Sequence, residues 1–149
     1  MAIARRIHEA LIARGETLAL AESCTGGAIA ARFVSMEGAS NYLLGSLVVY
    51  CNQWKEEFLR VSPETLAREG AVSSATVREM AQGLFIETDA DYVVAVSGQI
   101  GSPASKVFIA VGKRGQELAV EQISAPAARA AGIEASVEAA LHALLRQIA

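Results

Sequence analysis

Aromatic residues are scarce, with four Phe, three Tyr and one Trp making up 5% of the 149 residues. A core with so few rings must be built from Ala, Val, Ile and Leu, and the chain is 52% hydrophobic, enough for one domain spanning residues 1–149. Cysteine is limited to Cys24 and Cys51, with no CxxC pair or Cys/His cluster. That excludes a disulfide scaffold, and a reducing, cytoplasmic compartment is the simplest expectation. His8 and His142 are the only histidines and lie far apart, without partners at ligand spacing, so no metal site is expected. No run of about 18 uncharged apolar residues occurs, so no membrane span is expected. The net charge of −3 leaves no Lys/Arg excess of the kind that binds a nucleic-acid backbone.

What is present is a regular alternation. The opening "MAIARRIHEALIARGE" lacks the continuous apolar stretch of a secretory leader and reads as an amphipathic helix on Ile3, Ile7, Leu11 and Ile12, ending at Gly15. "TLALAES" has the continuous apolar character of a strand buried on both faces. A helix over "TGGAIAARFVSM" follows, then a second buried strand from Tyr42 to Tyr50 and a short helix over "NQWKEEFLRV". Ser62 and Pro63 open another helix that Gly70 closes, and Ser73 or Ser74 opens the next. "DYVVAVSG", "KVFIAVG" and "ELAVEQIS" are strands, the last two joined by a hairpin turn around Gly115. A long helix beginning after Pro126 closes the chain. Helices alternate with the first strands and a hairpin ends the series. The predicted fold is therefore a three-layer α/β/α sandwich with a mixed sheet.

Three strand ends carry residues with chemical potential, and ligands of such sheets sit beyond the carboxyl ends of strands. The first end is "ESCTGG", Glu22 to Gly27. A helix starting beside Thr25, Gly26 and Gly27 offers N–H groups to a phosphate or an oxyanion. The plainer reading makes Ser23 or Thr25 an ordinary N-cap. Ser23 and Cys24 are nucleophile candidates, and strand alternation allows only one of them to face a site. Serine needs a base. Neither histidine has a path to this loop, whereas a desolvated lysine can serve. The second end, "VVYCNQWK", supplies Tyr50, Asn52 and Lys55, which also read as a rim residue, a helix cap and a solvated lysine. The third, "SGQIGSPASK", has Ser97, Gly98 and Gly101 in a loop that either binds an anion or simply connects two strands.

"AESCTGG", "VVYCNQWK", "EGAVS" and "VAVSG" occur in this order, and the chain resembles the CinA C-terminal domain family over nearly its whole length. Members of that family include nicotinamide mononucleotide deamidases. The resemblance implies a three-layer α/β fold, a homo-oligomer, and hydrolysis of the amide of a pyridine nucleotide to nicotinate mononucleotide and ammonia, with no cofactor. It implies Ser23 as nucleophile and Lys55 as its activating base. It also implies substrate contacts from Thr25, Gly26, Gly27, Tyr50, Asn52, Ser97, Gly98 and Arg129, with Tyr50 stacking on the pyridine ring.

Two segments depart from the family pattern. The loop after the third strand is shorter than the family's glycine-rich one, and "APAARAAGI" stands where the family has an arginine pair, leaving Arg129 and putting Ile133 at the second place. An amidohydrolase is the leading expectation. A nucleotide-binding or assembly module without catalysis is the alternative, and thiol chemistry at Cys24 or Cys51 ranks last because no cationic setting for either is evident.

Overall fold

The structure is a computed structural model that describes residues 2–101 and 104–149. Met1 of the opening helix and Ser102–Pro103 of the third-strand loop lie outside the described residues. Helix α1 (Ala2–Arg14) leads into β1 (Leu18–Glu22), α2 (Ala28–Val34), β2 (Leu43–Val48), α3 (Asn52–Leu59), α4 (Pro63–Glu69) and α5 (Ser74–Glu87). Strands β3 (Tyr92–Gln99), β4 (Lys106–Lys113) and β5 (Ala119–Ser124) precede the closing α6 (Arg129–Ile148).

The five strands lie in the order β2-β1-β3-β4-β5. β2, β1 and β3 are parallel, and β4 and β5 return antiparallel. Alternation along the strands sends large side chains to one face and small ones to the other. Leu18, Leu20, Val94, Val96, Ile109 and Val111 pack with α1, α2 and α6. Ala19, Ala21, Ala95 and Ala110 face α5 and the α3–α4 pair. The result is the expected three-layer α/β fold with a mixed sheet. Arg32 of α2 ties its layer together by bonding Glu134 and Glu138 of α6 at 2.6 and 2.9 Å. His8 is buried in α1, its Nδ1 2.8 Å from the Tyr42 hydroxyl.

Locally encoded ends fall where the sequence puts them. Ser62 caps α4 by accepting from Glu64 N–H and Thr65 N–H, with Pro63 at its first position and Gly70 at its end. Ser73 caps α5 through Thr76 N–H at 3.1 Å. Two expectations need correction. α2 begins at Ala28, and neither Ser23 nor Thr25 caps it. β2 is an edge strand that is half-exposed, not buried, because only β1 pairs with it.

Candidate active site

Because β2, β1 and β3 run parallel, their carboxyl ends meet at one end of the sheet. Glu22 lies level with Val48 on one side and Val96 on the other. Pairing continues one residue further, with Ser23 N–H donating to Val96 O at 3.0 Å and Val49 N–H to Glu22 O at 2.9 Å. Ser23, Tyr50 and Ser97 thus become neighbours through strand topology. Alternation then aims Glu22 toward α2 and Ser23 toward the α3 side of the sheet.

Lys55 lies in the first turn of α3. Helical side chains tilt toward the helix N-terminus, which carries this one back toward the strand ends. The residue is only 1% exposed. Its Nζ lies 3.1 Å from Ser23 Oγ, 3.0 Å from Val49 O and 3.1 Å from Tyr50 O. Burial pushes the amine below the ordinary lysine range, and the positive end of α3 works in the same direction. A neutral amine has two N–H donors and one lone pair. As an ammonium, Nζ donates to Ser23 Oγ and both carbonyls; once neutral, it keeps two donors for the carbonyls and turns a lone pair to the Ser23 hydroxyl proton.

A cavity of about 170 Å³ opens beside this pair, lined by Ser23, Cys24, Tyr50, Lys55, Ala71, Ser97, Gly98, Gln99, Ile100 and Arg129. Tyr50 is 65% exposed and forms the rim. Arg129, at the start of α6, donates from Nη1 to Ile100 O at 2.8 Å. Ser97 is buried and donates to Ala71 O at 2.8 Å, fixing the "EGAVS" segment as one wall. A Cβ on Gly98 would stand 2.6 Å from Lys106 O, so only glycine fits between β3 and β4 there. Among the described residues no acidic side chain lines the cavity. Its two cations, Lys55 and Arg129, suit a neutral or anionic ligand.

Ser23, Lys55, Tyr50, Ser97, Gly98 and Arg129 therefore share one cavity. Thr25, Gly26, Gly27 and Asn52 do not line it. The reason for the first three is Glu22. Its Oε1 accepts from the Thr25 hydroxyl at 2.7 Å and Ile29 N–H at 2.9 Å, and its Oε2 from Ala30 N–H at 3.1 Å. The start of α2, expected to receive an anion, already holds one from its own chain. Asn52 is exposed, and the backbone turns into α3 at Cys51.

Cys24 touches the cavity, but it is buried in the cluster of Leu20, Ile29 and Val96 on the α2 face, opposite Ser23 as expected. Burial pushes the Cys24 thiol up to about 11 despite Arg129 and Lys55 nearby, which leaves it protonated at neutral pH. Ala71, Gln99 and Ile100 escaped the residue-by-residue reading. The quoted "EGAVS" and "SGQIG" segments were the available signal.

Comparison with known proteins bears on the family and the fold. The CinA C-terminal domain family model matches residues 1–148. A CinA-like protein of Shewanella loihica is 46% identical over 119 residues, covering 75% of this chain and 28% of that protein. The chain thus spans little more than a quarter of the length of the curated relatives it matches. The crystal structure of the competence damage-inducible protein A (ComA) from Klebsiella pneumoniae subsp. pneumoniae superposes with a TM-score of 0.94 at 33% identity, covering 99% of this chain and 95% of that one. The competence/damage inducible protein CihA from Agrobacterium tumefaciens gives 0.91 at 31% identity, covering 98% and 93%. With its sequence matched almost end to end and its fold superposed at such scores, the chain belongs to the CinA C-terminal domain family.

Proposed function

We propose that this protein is an amidohydrolase that converts nicotinamide mononucleotide to nicotinate mononucleotide and ammonia. The observation that carries the reading is the 3.1 Å approach of Lys55 Nζ to Ser23 Oγ, with the remaining Nζ donors spent on two carbonyls. Neutral Lys55 takes the Ser23 proton as Oγ attacks the carboxamide carbon. The tetrahedral intermediate collapses, the C–N bond breaks, and Lys55 returns the proton to the departing ammonia. Water, activated by the same amine, then cleaves the acyl-serine. The Ser23 N–H is committed to Val96 O, so the oxyanion takes its donors from other backbone N–H groups at the strand ends. Tyr50 at the rim stacks on the pyridine ring, and Arg129 meets the phosphate side.

Ammonia release from nicotinamide mononucleotide tests this, measured against pH. A protonated Nζ has no lone pair, so activity requires the neutral amine. Burial lowers the Lys55 pKa, so kcat/KM is expected to rise with pH and level off below the ordinary lysine range. A profile that falls as Lys55 deprotonates would contradict the assignment. Binding without release would replace it with the nucleotide-binding reading, which the small cavity and the single arginine favour.

The homo-oligomer expected from sequence is proposed to form through β2. The other sheet edge, β5, carries Glu121, which pairs with Arg146, and charge on an edge strand discourages pairing. β2 carries no charge. Around it Val34, Leu44, Val48, Trp54 and Phe58 are 37% to 64% exposed, beside a groove of about 360 Å³. Six strand residues span about 20 Å. With a helix layer on each face the footprint is about 600 Å² per copy, or about 1,200 Å² in total, above the roughly 1,000 Å² total that a specific contact needs. An uncharged strand also meets its own copy without repulsion. Light scattering should give twice the 15.6 kDa chain mass, and Phe58→Glu the single mass. A wild-type monomer at all concentrations would exclude this interface.

A further inference from the structure

The sequence suggests for Glu22 only the general task of ordering its loop or its partners, and the chemistry above does not use it. Its side chain is fully buried, one residue before the nucleophile. Besides Thr25, Ile29 and Ala30, its Oε2 accepts from the Ser46 hydroxyl of β2 at 2.8 Å. A carboxylate offers about four lone-pair sites, and here all four are occupied. An isolated buried carboxylate is costly. This one is offset by two hydroxyls and by two N–H groups at the positive end of α2.

The four donors come from three places around Ser23. Thr25 lies within the turn that follows it, Ile29 and Ala30 in the first turn of α2, and Ser46 on the neighbouring strand. Backbone bonds fix the path of the turn, with Ser23 N–H donating to Val96 O at 3.0 Å and Ala28 N–H to Thr25 O at 3.0 Å. Beyond Lys55 at Ser23 Oγ, no other side chain holds it among the described hydrogen bonds. Ser23 O accepts from Gly26 N–H at 3.1 Å, and Gly26 and Gly27 adopt φ of 60° and 102°, a region that leaves the chain free to rearrange. We propose that Glu22 is a positioning residue. Its buried carboxylate locks the β1–α2 turn from the face opposite the cavity and so holds Ser23 Oγ at the Lys55 amine. A serine displaced by about 1 Å loses roughly a hundredfold in rate, so the turn must be held and not merely folded.

The proposal rests on Ser23 being an activated nucleophile, as in the amidohydrolase reading, but not on the identity of the substrate. Its test is therefore covalent labelling of Ser23 by a fluorophosphonate, run beside ammonia release. The wild type is expected to label at Ser23, identified by mass spectrometry and absent in Ser23→Ala. Glu22→Ala is expected to label at least about 100-fold more slowly. Formate, a carboxylate small enough for the vacated space, is expected to restore about tenfold of that loss and to leave the wild type unaffected. A purely architectural role would lower thermal stability without a formate-dependent gain in labelling.

Glu22→Gln guards against loss of folding. It retains the shape but turns N–H donors toward Ala30 N–H and Ser46, and it should label about tenfold more slowly with a native circular dichroism spectrum. Labelling of folded Glu22→Ala or Glu22→Gln at the wild-type rate, a Glu22→Ala defect that formate leaves unchanged, or a wild type unlabelled at Ser23 would each overturn the proposal. Labelling that follows these expectations in a protein that releases no ammonia would retain the positioning role and remove the proposed substrate.

Discussion

Ser23→Ala and Lys55→Met are each expected to abolish ammonia release, lowering kcat by about 10⁴-fold or more while nicotinamide mononucleotide still binds. The serine hydroxyl is a poor nucleophile unless a base takes its proton during attack. Among the described residues, Lys55 Nζ is held at 3.1 Å for that task. Methionine keeps the length and apolar stem of lysine, so Lys55→Met removes the base with little change in volume. The two residues act as a unit, and the double variant should be no slower than the worse single one. Lys55→Arg should be as inactive as Lys55→Met, because a guanidinium does not lose its proton at accessible pH. A Ser23→Ala protein retaining a tenth of wild-type turnover would remove serine catalysis. A defect confined to KM would move both residues from chemistry to binding.

Gly83→Ala is expected to lower the melting temperature by roughly 10 °C, equivalent to about 3 kcal/mol for a chain of this length. Intrinsic preference alone would stabilise the helix by about 1 kcal/mol on replacing Gly with Ala. The location reverses the sign. A Cβ at Gly83 would lie 2.0 Å from Leu59 O and 2.7 Å from Leu59 C, both backbone atoms at the end of α3. No rotamer change relieves that overlap, so α3 must retreat from α5. Lys55 sits one turn upstream on α3, and its reach to Ser23 should lengthen with the shift, so turnover falls as well. Gln82→Ala, one residue away on the exposed face of α5, serves as the control and should melt within about 2 °C of the wild type. If the two variants melt together, α3 and α5 are not packed through this glycine.

Legibility in the sequence follows how local each feature is. Ser62, Pro63, Gly70 and Ser73 act on backbone groups within a few residues, so their helix ends are readable from spacing. The layer order is readable because period-two and helical patterns alternate cleanly. The start of α2 is not, since the group that closes it comes from Glu22, seven residues before Ile29. The edge position of β2 is equally hidden. "YLLGSLVVY" has the hydropathy of a buried strand, and which neighbours a strand acquires is decided by topology. Within the site, Ser23 and Lys55 emerge from chemistry and family resemblance together. Cys24 falls on the face opposite Ser23, as strand alternation predicts, because the extended pairing runs on through Ser23.

The two cysteines differ in a way that has practical use. Cys24 is buried, with its thiol pushed up to about 11, whereas Cys51 is exposed at the N-terminus of α3, next to the rim residue Tyr50. A maleimide dye should therefore attach to Cys51 alone in the unaltered protein. The fluorophore would stand at the mouth of the cavity, where its emission can report ligand arrival and departure in real time without radiolabel or coupled assay.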